Sequence, residues 1–148
     1  MRVIVTGGNS GVGKATATAL AAAGHRVLIA CRDVEKAEQA AAEMTGDVDV
    51  SPLDLADLAS VRAFADSVEA VDVLVNNAGV MGVPLTRTAD GFEAHMGINH
   101  LGHFALTCLL SDRITDRVVS VASATASTGT PRPARTRNGT FQPYVVPR

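Results

Sequence analysis

Short apolar runs alternate with longer amphipathic stretches over most of the chain. The runs are Val3–Val5, Arg26–Ala30, Val48–Val50, Val71–Val75 and Val118–Val121. Between them lie Gly13–Ala23, closed by Gly24, then Val34–Met44, closed by Gly46, then Leu58–Val68 and a long segment Gly91–Leu110. Runs this short predict strands, and the longer segments with apolar residues at helical spacing predict helices. The strands read as apolar throughout, as expected where a sheet is covered on both faces. Such β-α-β alternation predicts an α/β fold, a doubly wound parallel sheet of about five strands with helices on both sides. No internal repeat is visible.

Composition narrows the function classes. With 148 residues and 47% hydrophobic content, the chain is in the range of one globular domain, which buries about two-thirds of its unfolded surface. No run approaches the ~18 apolar residues of a membrane span. Met1-Arg2 leads directly into the first strand without a signal-peptide pattern, so no membrane span and a cytoplasmic location are expected. Cys31 and Cys108 are isolated, without CxxC spacing, and read as small buried residues.

The net charge of −2 conceals an asymmetry: residues 1–126 carry nine Lys/Arg against fifteen Asp/Glu, while residues 127–148 carry four Arg and no acid. The acidic main body gives no support to nucleic-acid binding. Four of the six prolines, Pro131, Pro133, Pro143 and Pro147, fall in the same tail. The expected organisation is a domain over residues 1–126 followed by an irregular Pro/Arg-rich tail over residues 127–148, with the boundary near Ser127.

Directly after the first strand comes Thr6-Gly7-Gly8-Asn9-Ser10-Gly11-Val12-Gly13, opening an alanine-rich helix. Glycines there let the backbone turn tightly and approach a pyrophosphate, while free N–H groups at the helix start bind the anion. Gly8-x-x-x-x-Gly13-Lys14 also has the spacing of a nucleoside-triphosphatase P-loop. That motif needs Ser or Thr next, where the chain has Ala15, and Val71–Val75 runs into Asn76-Asn77 instead of an acid. A glycine turn that binds nothing is the third reading of the loop alone.

The loop is not alone. Thr6-Gly7-x-x-x-Gly11-x-Gly13 together with Asn76-Asn77-Ala78-Gly79 resembles the paired signatures of the short-chain dehydrogenase/reductase family. Asp90-Gly91-Phe92-Glu93, Ile98-Asn99-His100-Leu101-Gly102-His103-Phe104 and Val118-Val119-Ser120-Val121-Ala122-Ser123 narrow the resemblance towards its retinol-dehydrogenase-like members, over residues 1 to about 126. The resemblance implies a Rossmann-type sheet, a nicotinamide dinucleotide and a small-molecule alcohol or carbonyl substrate.

It also implies roles. Gly7, Asn9, Ser10, Gly11, Val12 and Gly13 would contact the cofactor's phosphates and adenosine ribose; ordinary turn chemistry is the other reading of Asn9 and Ser10. Where an acid would bind the 2′-hydroxyl of NAD, the chain has Ala30-Cys31-Arg32-Asp33. Arg32 matches a 2′-phosphate, which favours NADP(H) over NAD(H); the competing reading pairs it with Asp33 or Glu35. Asp54 corresponds to the adenine-binding position, with Leu55 against the ring, though a helix N-cap suits Asp54 equally. Asn76, Ala78 and Gly79 would border the adenosine ribose, and Asn77 would brace the sheet.

The family's relay uses a Tyr for proton transfer, a Lys that lowers its pKa, a Ser that orients the substrate oxygen and an Asn that holds a water. Ser123 aligns with the serine and Asn99 with the asparagine; a strand-end serine is the plain alternative for Ser123. An unpaired mid-helix Asn is disfavoured, so tertiary or functional compensation is expected at Asn99. His95, His100 and His103 invite a metal reading, but no carboxylate accompanies them at ligand spacing, and surface or packing histidines are expected. No metal site is assigned.

The resemblance breaks at Tyr-x-x-x-Lys. The one tyrosine is Tyr144, and Arg148 stands four residues on, with Pro143, Val145, Val146 and Pro147 disfavouring a helix between them. The expectation is a C-terminally truncated form with cofactor binding encoded and proton transfer not encoded. Two origins fit the tail, out-of-frame translation or a disordered basic segment with its own partner. An apolar fifth strand left uncovered is expected to lower solubility.

Overall fold

The protein is described by a computed structural model covering residues 1–123. Five strands, β1 (Arg2–Thr6), β2 (Arg26–Cys31), β3 (Val48–Pro52), β4 (Val71–Asn76) and β5 (Ile114–Ser120), form one sheet in the order β3-β2-β1-β4-β5. Every pairing is parallel, with Val5 opposite Ile29 on one side and Val75 on the other. This is the Rossmann-type arrangement expected of the alternation. The tail over residues 127–148, its boundary at Ser127 and the pair Tyr144 and Arg148 lie outside the described residues.

The period of two along each strand divides the core. On one face Val3, Val5, Val27, Ile29, Val73 and Val75 meet the helices α1 (Gly11–Ala22) and α2 (Val34–Ala42) through Ala17, Ala21 and Ala37. On the other, Ile4, Ala30, Val71 and Leu74 meet α3 (Leu58–Ser67) and a later helix, through Val61, Phe64, Leu106 and Leu110. Each fully buried Val, Leu or Ile contributes roughly 1.5–3 kcal/mol over exposure. In α1 the buried residues Gly13, Ala17 and Ala21 recur every fourth position, a narrow stripe of small side chains that lets the helix lie close on the sheet.

The long segment expected over Gly91–Leu110 is not one regular helix. It opens with α4 (Ala94–Met96), widens into a π-helical turn over Gly97–Gly102 and resumes as α5 (His103–Leu110). Gly91 has φ +84°, outside helical space. The Glu93 carboxylate instead starts the helix by accepting from the amides of His95 and Met96. Gly97 and Gly102 bracket the π turn. A Cβ on Gly102 would stand 2.5 Å from the Leu55 carbonyl oxygen, and one on Gly97 would collide with the Thr88 methyl. Two neighbours press against the wide turn where only glycine leaves room.

Two strands depart from the uniformly apolar reading. β3 reads Val-Asp-Val-Ser-Pro and β5 reads Ile-Thr-Asp-Arg-Val-Val-Ser. Both are sheet edges, so part of each faces water, and β5 begins four residues before the apolar run that announced it. The β3 edge is blunted by Pro52 and by Asp49, which pairs with Arg26 at 3.2 Å. Among the described residues the β5 edge has no such cover, and Val118, Val119 and Val121 are 40–48% exposed. No described helix is long and apolar enough to cross a membrane.

This edge predicts self-association. The sedimentation coefficient of the 148-residue chain is expected to rise with concentration, and Val119→Lys, which sets a charge on the open strand, is expected to reduce the rise. Two concentration-independent monomers would contradict it.

Candidate functional site

The strand order reverses between β1 and β4. The chain runs outward from β1 through β2 to β3, then returns across the sheet to β4. In sheets of this kind the crevice at the C-terminal ends of the two strands flanking the reversal, here β1 and β4, is the usual ligand position. Both glycine-bearing motifs meet there.

The loop after β1 turns at Gly7, φ +65°, and again at Gly11, φ +52°. The Gly7 amide donates to the Ala30 carbonyl at 2.8 Å, and a Cβ on Gly7 would lie 2.9 Å from the Ala78 Cα. A Cβ on Gly13 would collide with Asn77 Nδ2 and the Gly7 carbonyl. Gly7 and Gly13 thus allow the β1 loop, α1 and the β4 turn to touch through backbone. Asn77 braces this contact, donating from Nδ2 to the Thr6 carbonyl at 2.9 Å. The Thr6 hydroxyl, fully buried, receives the amides of Asn77 at 2.9 Å and Ala78 at 3.0 Å.

Among the described residues, α1 to α4 start from loops while α5 continues from the π-helical turn, and those four starts are capped differently. Asp33 caps α2 by accepting from the Lys36 amide, Asp57 caps α3 through the Ala59 amide, and Glu93 caps α4. Ser10, at the start of α1, makes no side-chain cap bond, and no acid stands in the first turn. Positive potential and orphan N–H groups at this one helix end face the crevice without an internal carboxylate. Val12 is 65% exposed there. Lys14 does not turn back over the loop as a P-loop lysine would: its Nζ lies 2.6 Å from Glu43.

At the end of β2, the Cys31 thiol donates to Asn9 Oδ1 at 3.3 Å. Burial pushes its pKa up, so it remains a neutral donor. Arg32 is exposed and forms no ion pair among the described residues; Asp33 pairs with Lys36 at 3.0 Å instead. The Lys36 amide and side chain hold the Asp33 carboxyl pKa down, and the Arg32 charge adds to this through space. Asp54 is not a helix N-cap, since Asp57 holds that position; its Oδ1 accepts from the Ala56 amide at 2.9 Å. Leu55 follows it in the loop before α3. Expected against a base, it is 6% exposed and belongs to the core beside α3 and α5, because Gly102 admits its backbone and side chain to the helix surface.

Asn99 lies in the π-helical turn, and its compensation is tertiary. Its Oδ1 accepts from the Val80 amide at 2.8 Å and its Nδ2 donates to the Val80 carbonyl at 2.9 Å. The Asn76 side chain points to α5, donating to Thr107 Oγ1 at 3.0 Å, and among the described residues its buried Oδ1 has no partner. Ala78 is half-buried and Gly79 exposed beside it, while Ser123 is exposed three residues past β5 on the same sheet end.

The histidines separate. His95 Nδ1 lies 2.6 Å from Glu93, His100 stacks on Phe104, and His103 is buried with Nε2 2.9 Å from Thr6 Oγ1. Among the described residues no group of three metal-ligating side chains assembles. His103 is buried, on the packing side of the reading expected for it, while Thr6, which opens the glycine motif, gains its own role only here. A hydroxyl where an apolar strand meets a glycine loop was the available signal for Thr6.

Two outcomes follow from this packing. Gly13→Ala is expected to destabilise the chain by about 1–3 kcal/mol through overpacking, measurable by urea unfolding, although alanine otherwise favours helices. Burial holds the His103 pKa below its ordinary value, so the unfolded chain binds the extra proton first. Stability is then fully present above about pH 6.5 and falls as pH drops below it towards the folded-state value; His103→Gln should flatten that slope in melting curves recorded between about pH 7 and 5.

Comparison with known proteins agrees with this geometry. The sequence profile described as short chain dehydrogenase matches residues 1–134. Retinol dehydrogenase 12 of Homo sapiens is 52% identical over 134 residues, which cover 82% of this chain and 42% of that protein. The chain thus spans about two-fifths of the length of such curated relatives. Among solved structures, an uncharacterized protein from Mycobacterium paratuberculosis superposes with a TM-score of 0.86 at 55% identity, over 88% of this chain and 49% of that one. A short chain dehydrogenase from Burkholderia cenocepacia, solved in complex with NADP, gives 0.73 at 30% identity, over 85% and 56%.

Proposed function

Because the chain belongs to the short-chain dehydrogenase family, on its retinol-dehydrogenase-like side, we propose that its crevice binds a nicotinamide dinucleotide, NADP(H) in preference to NAD(H). The observation that carries the reading is α1, the one helix starting from a loop among the described residues that has no side-chain cap, standing behind a glycine loop at the point where strand order reverses. Gly7, Asn9, Ser10, Gly11, Val12 and Gly13 would line the pyrophosphate and ribose, with α1 supplying the N–H groups. The residues fit such a group: among the described helices that start from a loop, α2, α3 and α4 are capped by carboxylates, and α1 is not.

Arg32 supports the NADP(H) preference, as an exposed guanidinium at the end of β2 with no carboxylate paired to it at contact distance among the described residues. A 2′-phosphate would give it charge-assisted, two-pronged hydrogen bonds. Asp54 would meet the adenine, and Ala78 and Gly79 offer backbone without bulk beside the ribose. Asn76 would act through the strand end it shares with them, since its side chain is engaged by Thr107.

For the whole protein we propose alcohol or carbonyl oxidoreduction, in which the bound nicotinamide supplies or accepts a hydride. Ser123 would orient the substrate oxygen, and Asn99 would keep its turn in place through Val80. The proton step has no counterpart in these residues, because Tyr144 is followed at the fourth position by Arg148, not lysine. We therefore propose that the 148-residue chain binds the dinucleotide without turning over an alcohol or carbonyl substrate, as an NADP(H)-binding module.

Fluorescence titration of the 148-residue chain with NADPH and NADH tests this. NADPH is expected to bind the tighter, and Arg32→Ala to weaken it by about tenfold or more while leaving NADH unchanged. Equal affinities that Arg32→Ala leaves alone would overturn the preference, and substrate-dependent NADPH oxidation lost in Tyr144→Phe would overturn the absence of turnover.

A further inference from the structure

The turn that follows β4 is held at both ends. At its start, the amides of Asn77 and Ala78 both donate to Thr6 Oγ1; at its far end, Asn99 grips the amide and carbonyl of Val80. One side chain joins the two holds. His103 is 6% exposed, with Nε2 2.9 Å from Thr6 Oγ1 and Nδ1 3.3 Å from the Asn99 carbonyl oxygen.

Hydrogen-bond accounting decides which nitrogen carries the proton. A threonine hydroxyl has one proton and two lone pairs. The two amides occupy both lone pairs of Thr6, so its proton must leave towards an acceptor. Two are in reach, His103 Nε2 at 2.9 Å and the Val75 carbonyl at 3.3 Å, and the shorter contact takes it. A proton on Nε2 would face an oxygen with nothing left to accept it. Nε2 is therefore bare, and the proton of the neutral ring sits on Nδ1, where it points at the Asn99 carbonyl.

We propose that His103 is a positioning residue of the dinucleotide site: as the Nδ1–H tautomer it accepts from Thr6 and donates to Asn99, tying the β1 loop and the turn 77–80 to the π-helical turn. The inference rests on the reading that this crevice binds a dinucleotide, and it adds the residue that holds the crevice walls in register. The π turn is what makes the link geometrically available, because it places the Asn99 carbonyl against the ring four residues on. Among the groups around the ring, His100 acts on it as a like charge when protonated. β1 and the β4 turn present a hydroxyl and amides.

Two substitutions divide the link. Glutamine can set an acceptor where Nε2 stands and keep Thr6 satisfied, whereas leucine removes both bonds and leaves the Thr6 proton to Val75. On the full 148-residue chain, long-range proton–nitrogen correlation of labelled histidine should report His103 as the Nδ1–H tautomer at pH 7.5. In NADPH titrations His103→Gln is expected to stay within about threefold of the unsubstituted chain, and His103→Leu to bind about tenfold more weakly. The Val80 amide resonance should move in the leucine variant and stay near its place in the glutamine variant. An Nε2–H tautomer, or a leucine variant with unchanged affinity and an unmoved Val80 amide, overturns the proposal. Should the unsubstituted chain bind no NADPH, the reading of the preceding subsection fails by itself; the tautomer and the Val80 resonance still decide the role of His103.

Discussion

The crevice depends on one buried hydroxyl. Thr6 ends β1 at the position where β1 and β4 part, and its oxygen takes the two amides that begin the β4 turn. In this partly buried junction each of those N–H groups would cost up to about 1–3 kcal/mol if left unpaired. Two diverging strand ends therefore cannot separate freely, although nothing in the sheet ladder continues past them. Asn77 repeats the tie in the other direction, from side chain to the Thr6 carbonyl. With that junction fixed, glycine at positions 7 and 13 lets three backbones lie in contact, and the start of α1 is presented to the opening.

Charge is distributed to match. Every acidic helix cap in the described chain serves α2, α3 or α4, while Glu43 is paired with Lys14 and Asp33 with Lys36. A carboxylate at the start of α1 would stabilise that helix by roughly the 0.5–2 kcal/mol of an N-cap, and it would also occupy the place of an anion. The chain forgoes that stabilisation at one helix end, as expected of a site whose partner carries negative charge.

The two sheet edges are treated differently. β3 carries an aspartate held by an arginine and a proline at its end, so its outer side offers little to a further strand. β5 offers polar residues in its first half and exposed valines in its second, beside the end where Ser123 lies. The first edge is built to be left open, and the second carries apolar surface at the end of the sheet where the candidate chemistry gathers.

Hydrophobic period and glycine spacing alone determined the five parallel strands, the helices between them, the phosphate-type loop and the family signatures, because burial of alternate residues and positive φ are local demands written at the positions that meet them. Four features were decided only in the folded chain. Asp57, not Asp54, caps α3; either spacing suits an N-cap, and packing selects between them. Leu55 enters the core because Gly102, distant in sequence, leaves room for it. The expected single helix widens into a π turn where Thr88 and Leu55 press on Gly97 and Gly102. His103 belongs to the same class: its partner Thr6 is 97 positions away, and a helical histidine gives no local sign of which strand end it will meet. Local pattern fixes which face of an element is buried. The topology of the sheet fixes which buried polar groups find each other.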